Sequence, residues 1–222
     1  MVARNANAGS GVGLQGSVRR SQGRYTQRKR RNAMALTRPA GTWKYEDLFE
    51  LPDDGRRWEI IDGELYEMPA PRSAHAVAIF ALIRLLLPVI DRLGGTILTA
   101  PLDVFFAGAN PVEPDLVVFF PEGRARLVGR GVEGPPDLLI EVLSPSNRAH
   151  DLVRKRALYA RGGVREYWII DPDAASVEII GADGETVQRV AADSDTTLTL
   201  RSPLFGDLVV NPTVLFPADI ED

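Results

Sequence analysis

The sequence predicts an α/β sandwich with a mixed central sheet, one long helix on either side of the central strands, and β-hairpins toward the C-terminus. Residues 73–93 carry helical apolar spacing, and residues 148–160 read as a second long helix between a Ser-Pro-Ser-Asn turn and Gly162-Gly163. The runs DLVVFF (residues 115–120), DLLIEVL (137–143) and REYWIID (165–171) are β-branched and aromatic, which suits strands covered on both faces. The order strand, helix, strands, helix, strand is that of a sheet layered between helices.

The elements follow in chain order. Residues 43–49 predict a short amphipathic helix with Thr42 as N-cap. Residues 57–62 and 64–68 read as a hairpin closed by Asp62-Gly63, a dipeptide suited to tight turns. The first long helix starts at Ser73, stops at Gly94-Gly95 and places His75, Ile79, Leu82, Leu86 and Ile90 near one helical period. Pro88 is its candidate kink. Residues 96–106 read as a strand with an irregularity at Pro101, and residues 129–136 as a Gly/Pro loop. Ser144-Pro145-Ser146-Asn147 marks a turn and a helix start, and Gly162-Gly163 ends that helix. Residues 176–180, 186–190 and 196–200 form a C-terminal meander with turns at Ala182-Asp183-Gly184 and near Asp193.

The chain of 222 residues is 45% apolar, enough for one domain with a real core. It has no cysteine and two histidines, His75 and His150. A disulfide scaffold, a thiol nucleophile and a three-histidine zinc site are thereby excluded, and a hard metal would rest on carboxylates. The longest apolar stretch, residues 76–90, is interrupted by Arg84, and the start lacks the apolar core of a signal peptide. The expectation is a cytoplasmic protein with no membrane partner.

Charge is unevenly placed. Residues 1–38 hold nine basic side chains and no acidic one, leaving 17 basic and 30 acidic in residues 39–222, a net of −13. The Gly-, Ser- and Arg-rich tail reads as disordered. Two readings of it stand: an arm for nucleic-acid phosphates, or an over-extended gene start upstream of Met34. Residues 39–222 form the domain. Its acidity argues against duplex binding over a wide surface and leaves room for a small cationic cleft or a metal site.

Carboxylates are disfavoured inside covered strands, yet Asp115 opens one such run and Glu141 lies within another, between Ile140 and Val142. Period two puts Asp137, Leu139, Glu141 and Leu143 on one face. If Asp115 and Glu141 sit on neighbouring strands, their oxygens can hold one magnesium-like cation. The alternative is a Glu141–Arg pair, for which 23 arginines are available. Lysine is scarce, and Lys155 falls in the second long helix. It can donate to a phosphate; taken alone, an i,i+4 pair with Asp151 is the simpler reading. Glu64 follows the hairpin turn and is either a solvated acid or an outer ligand of the same site. His75 reads as a capping or core histidine. Tyr159, Tyr167 and Trp168 read as packing. No glycine-rich phosphate loop is present.

The strings WEIIDGELYEMPAP, SAHAVAI, EPDLVVF and PPDLLIEVLSPSNRAHDLVRKRALYARGGVREYWIIDP resemble the Uma2 family of endonucleases, a branch of the PD-(D/E)XK nuclease superfamily. The resemblance spans roughly residues 43–216 and implies a restriction-endonuclease-like fold. It implies that Asp115 and Glu141 are the two motif acids. The motif lysine should stand at position 143, where this chain has Leu143; in similar proteins a lysine of the following helix substitutes, which here is Lys155. Glu64 resembles an additional acid of the family. The implied chemistry is hydrolysis of DNA phosphodiesters with Mg2+ or Mn2+, with a homodimer as a further expectation. The competing class is a nuclease-like module that binds nucleic acid or protein without turnover. Hydrolysis of another phosphate substrate ranks last.

Overall fold

A computed structural model describes residue 39 and residues 41–68, 72–144, 150–192 and 197–217. The basic tail, the Pro145-Ser146-Asn147 turn and the turn near Asp193 lie outside the described residues.

A helical turn, α1 (Tyr45–Leu48), precedes the hairpin of β1 (Arg57–Ile61) and β2 (Glu64–Met68). Asp62 and Gly63 have φ of 50° and 77°, the two positive values that a two-residue turn of this twist requires. A side chain at Gly63 would also strike the Gly41 carbonyl. Helix α1 starts later than expected. Lys44, not Thr42, is its N-cap, and its backbone N–H donates to Asp47 Oδ2 at 2.9 Å. The Thr42 hydroxyl instead donates to the Pro39 carbonyl.

Helix α2 (Ser73–Arg92) lies on one face of a six-stranded sheet. In chain order the sheet strands are β3 (Thr96–Thr99), β5 (Leu116–Phe119), β8 (Leu138–Val142), β9 (Glu166–Asp171), β10 (Ser176–Gly181) and β11 (Thr186–Ala191). Their spatial order is β11-β10-β9-β8-β5-β3, with β8 and β9 parallel and every other pair antiparallel. The mixed sheet is as expected, and the crossover between its parallel strands is helix α3 (His150–Gly162), which lies on the opposite face from α2.

Period-two alternation divides the core. Leu116, Val118, Leu138, Ile140, Trp168 and Ile170 pack with Leu82, Leu86 and Ile90 of α2. Val117, Leu139, Tyr167 and Ile169 pack with Leu158 and Tyr159 of α3. Each fully buried Leu or Ile contributes about 1.5–3 kcal/mol relative to exposure. Ser73 is the first residue of α2 and Arg72 its N-cap, so Ser73 makes no capping bond. Pro88 lies on the exposed side of the helix.

The run at residues 96–106 is divided at Pro101 into β3 and β4 (Val104–Phe105). The expected loop at 129–136 contains β7 (Gly131–Glu133), which pairs in parallel with β4 and antiparallel with β6 (Arg126–Val128). These strands of two or three residues are too short to show a period in sequence. A C-terminal hairpin of β12 (Leu198–Ser202) and β13 (Gly206–Val210) precedes the turn of α4 (Pro212–Leu215) and packs on the α2 side.

Two buried acids tie this frame together. Asp137 accepts from Phe120 N–H and Arg165, each at 2.9 Å, joining the ends of β5, β8 and β9. Glu166 accepts from Trp168 Nε1, from Ser202 Oγ at 3.0 Å and from Leu204 N–H at 2.9 Å, fixing the β12–β13 hairpin to β9. Burial pushes the Glu166 carboxyl above its ordinary value, and the hydrogen bonds oppose that. Glu166→Ala would leave Trp168 Nε1 and Ser202 Oγ without their acceptor, while the Leu204 N–H keeps Ser202 Oγ at 3.1 Å. It should cost about 2–3 kcal/mol of stability, read as a lowered urea midpoint.

Candidate active site

Strands β5 and β8 pair with Leu116 opposite Ile140. One antiparallel step further, Asp115 faces Glu141. The two acids singled out in sequence thus share one edge of the central sheet, where each strand stops. Asp115 Oδ2 accepts from the backbone N–H of Val142 at 2.8 Å, and His75 Nε2 from the first turn of α2 stands 3.2 Å from its Oδ1. His75 therefore holds Asp115 from the α2 side, a role that no sequence pattern indicated.

Helix α3 reaches Glu141 from the other face. Lys155 and Tyr159 are four residues apart and share a helix face. The ammonium lies 3.0 Å and the phenol 2.7 Å from Glu141 Oε1, both donating. Lys155 is only 2% exposed and Glu141 only 8%. The expected alternative of a Glu141–arginine pair gives way to a Glu141–lysine pair. The side chains of His150 and Asp151 lie outside the described residues.

A third acid completes the arrangement. Glu59 of β1, 3% exposed, places Oε2 3.1 Å from Lys155 Nζ, as an ion pair without hydrogen-bond alignment. Its Oε1 accepts from the backbone N–H of Glu113 at 3.1 Å, two residues before Asp115. Sequence reasoning missed Glu59. The signal was the one that exposed Glu141, a carboxylate inside an apolar strand, here Trp58-Glu59-Ile60-Ile61.

Glu64, the remaining candidate, sits on β2 and accepts from Tyr66 OH and from Arg154 at 2.5 Å each; Arg154 also meets the Tyr66 hydroxyl and lies over its ring. Arg154 follows Val153 on α3 and precedes Lys155, so Glu64 occupies the neighbouring side of the helix. Leu143 packs with the α3-side core. A separate cavity of about 700 Å3 opens between Trp43, Ile60, Gly63, Phe106, Asn110 and Gly162; Asp115, Glu141 and Lys155 do not line it.

Charge is unbalanced where these residues meet. Burial pushes the Glu141 carboxyl up to about 8; Lys155 pulls it down, while Asp115 and Glu59 raise it again. Burial and Glu141 push the Tyr159 phenol well above its ordinary value, so it stays a donor. Two carboxylates, Glu59 and Glu141, contact one ammonium, and the Asp115 charge acts on Glu141 as well. Among the described residues no group of three or more His, Asp or Glu side chains has metal-ligand placement. The pair Asp115 and Glu141 nevertheless fits a hard divalent ion that takes few protein oxygens and keeps water or phosphate in its other positions. Its charge would offset the surplus.

The model of the Uma2 family, described as "Putative restriction endonuclease", matches residues 45–212. Among solved structures, a protein titled a putative nuclease belonging to DUF820 from Anabaena variabilis has 22% sequence identity. The alignment covers 78% of this chain and 97% of that one, with a TM-score of 0.63, which establishes a common fold. No curated protein matches the sequence.

Two outcomes follow from the burial of these charges. With its carboxyl raised from 4.5 to about 8, folded Glu141 keeps a proton that the unfolded chain releases. Its contribution to stability is complete below about pH 4.5 and is lost as pH rises through about 8. Thermal unfolding between pH 5 and 9 should show that decline in the wild type and a flatter profile in Glu141→Gln. Lys155→Met should do the opposite, costing about 3–5 kcal/mol because it strands buried carboxylates without a counter-ion.

Proposed function

Because this chain belongs to the Uma2 family, we propose that it is a metal-dependent endonuclease hydrolysing DNA phosphodiesters, with Asp115, Glu141 and Lys155 as its catalytic residues. The observation that carries the proposal is the pairing of Asp115 and Glu141 across neighbouring strands with an ammonium 3.0 Å from Glu141. Asp115 and Glu141 are the side chains that would hold Mg2+ or Mn2+. When bound, such an ion supplies an activated water and neutralises charge on the phosphoryl oxygen.

The protein's own contribution is placement and charge. Val142 N–H and His75 fix Asp115 from two directions. Lys155 and Tyr159 fix Glu141 by the same oxygen. Lys155 brings a fixed positive charge to the place where the phosphate becomes more negative, in a water-poor setting that strengthens it. It thereby takes the part of the lysine absent at position 143. Glu59 holds the far side of the ammonium, and Glu64 is a supporting acid on Arg154.

A second reading has its own observation. Lys155 is almost fully buried and engaged by two carboxylates, an arrangement that would also suit a nuclease-like module that binds nucleic acid without cutting it.

Calorimetric titration of Mn2+ into residues 34–222 tests the metal site. Saturable binding in the wild type should vanish in Glu141→Ala and Asp115→Ala; no binding in the wild type, alone or with DNA present, would reject the site. Supercoiled DNA should then be nicked only with Mg2+ or Mn2+, and Lys155→Met should slow nicking by about 100- to 1,000-fold. Metal binding without nicking would favour the non-catalytic module.

A further inference from the structure

The cavity beside the end of α3 takes no part in the chemistry proposed above. It holds about 700 Å3, within the range of small-molecule sites. Four chain segments wall it, and each is tied to its neighbours. The Trp43 N–H donates to the Gly63 carbonyl of the hairpin turn at 3.0 Å. Asn110 Oδ1 accepts from the Tyr45 N–H at 3.2 Å, and Asn110 Nδ2 donates to the Trp43 carbonyl at 3.4 Å. A Cβ on Gly162 would stand 2.6 Å from the Phe106 ring, so a side chain there would push the ring off the end of α3. The cavity is therefore a preformed space.

Its floor and its mouth differ in chemistry. Trp43, Ile60, Phe106 and Leu158 line the floor, and all four are buried. Lys44, Asp62 and Arg161 stand at the mouth, all exposed. Two cations against one acid give the mouth a positive balance, in a domain of net charge −13. One of the chain's three lysines is spent here. Arg161 approaches Asp62 at 3.7 Å, with both side chains more than half exposed. Such a pair contributes little, so the guanidinium is free to turn toward an anion. The Asn110 amide has a second N–H beyond the one given to Trp43, and Asp62 supplies an acceptor.

We propose that this cavity binds a nucleotide, with the base on the apolar floor and the phosphate between Lys44 and Arg161. The aromatic and aliphatic floor suits a flat base, whose polar edge needs the donor and acceptor that Asn110 and Asp62 provide. A doubly charged phosphate is the anion that two separate cations can share. A fatty acid would leave Asn110 and Asp62 unused, and inorganic phosphate would leave the floor empty. The site is separate from the paired acids. Arg161 lies six residues beyond Lys155 on α3, about 9 Å along the axis, and neither Asp115 nor Glu141 lines the cavity. The proposal therefore does not rest on the nuclease reading.

Calorimetric titration of the full chain in EDTA tests it. Deoxyadenosine 5′-monophosphate should bind with a Kd of about 100 µM or tighter, and at least about tenfold more tightly than deoxyadenosine or inorganic phosphate. Lys44→Glu and Arg161→Glu should each weaken it at least about tenfold, with unchanged far-UV circular dichroism because both side chains are exposed. The double variant Asp115→Ala, Glu141→Ala should bind it as the wild type does. A 5′-phosphorylated oligodeoxyadenylate that binds more tightly than the mononucleotide, and is weakened by the same two exchanges, would assign the site to a DNA strand. Equal or weaker binding of the oligonucleotide would assign it to a free nucleotide. No binding of the mononucleotide at about 1 mM, inorganic phosphate binding equally well, indifference to both charge exchanges, or loss of binding in the Asp115 and Glu141 double variant would overturn the proposal.

Discussion

A single buried ammonium makes the rest of this site possible. Lys155 lies between Glu141 of the central sheet and Glu59 of the N-terminal hairpin, within 3.1 Å of both. Without it, two carboxylates would stand in a water-poor interior with no counter-charge, which proteins avoid at a cost of several kcal/mol. With it, three separate chain segments are fixed together. The hairpin is drawn onto α3, α3 is seated on the sheet, and Glu59 in turn grips the backbone at Glu113, the segment that leads into Asp115.

The sheet supplies the other half of the geometry. Antiparallel pairing of β5 and β8 places Asp115 opposite Glu141 by register alone. Both flanking helices then restrain the acids, α2 through His75 on Asp115 and α3 through Lys155 and Tyr159 on Glu141. The cores on the two faces of the sheet hold these helices in place. The site is therefore built on rigid elements and needs no loop to assemble its acids. Burial raises the Glu141 carboxyl, Lys155 pulls it down, and Asp115 and Glu59 raise it further.

Much of this arrangement was legible in the amino-acid order, for identifiable reasons. Asp115 and Glu141 announce themselves because a carboxylate inside an apolar strand has few harmless explanations. The hairpin at Asp62-Gly63 and both long helices follow from turn chemistry and apolar period. Glu59 escaped because the hairpin signal dominated the reading of its strand, although the same rule applied to it. Tyr159 and His75 escaped because their packing and capping roles look alike in sequence, and only the tertiary placement of α2 and α3 aims them at the acids. Glu64 shows the converse. Its sequence context matches that of a ligand, while its carboxylate is occupied by Arg154 and Tyr66. The β4-β7-β6 sheet depends on long-range pairing of very short strands, which carry no local signature.

The central claim is that Asp115 and Glu141 together receive a divalent cation while Glu59 keeps Lys155 in place. A crystal soaked in Mn2+ and measured near the manganese absorption edge tests it most directly. The account predicts an anomalous peak touching one oxygen of Asp115 and one of Glu141, with the Lys155 ammonium still within ion-pair distance of Glu59. No peak at that position, or manganese bound only elsewhere on the acidic surface, would contradict it.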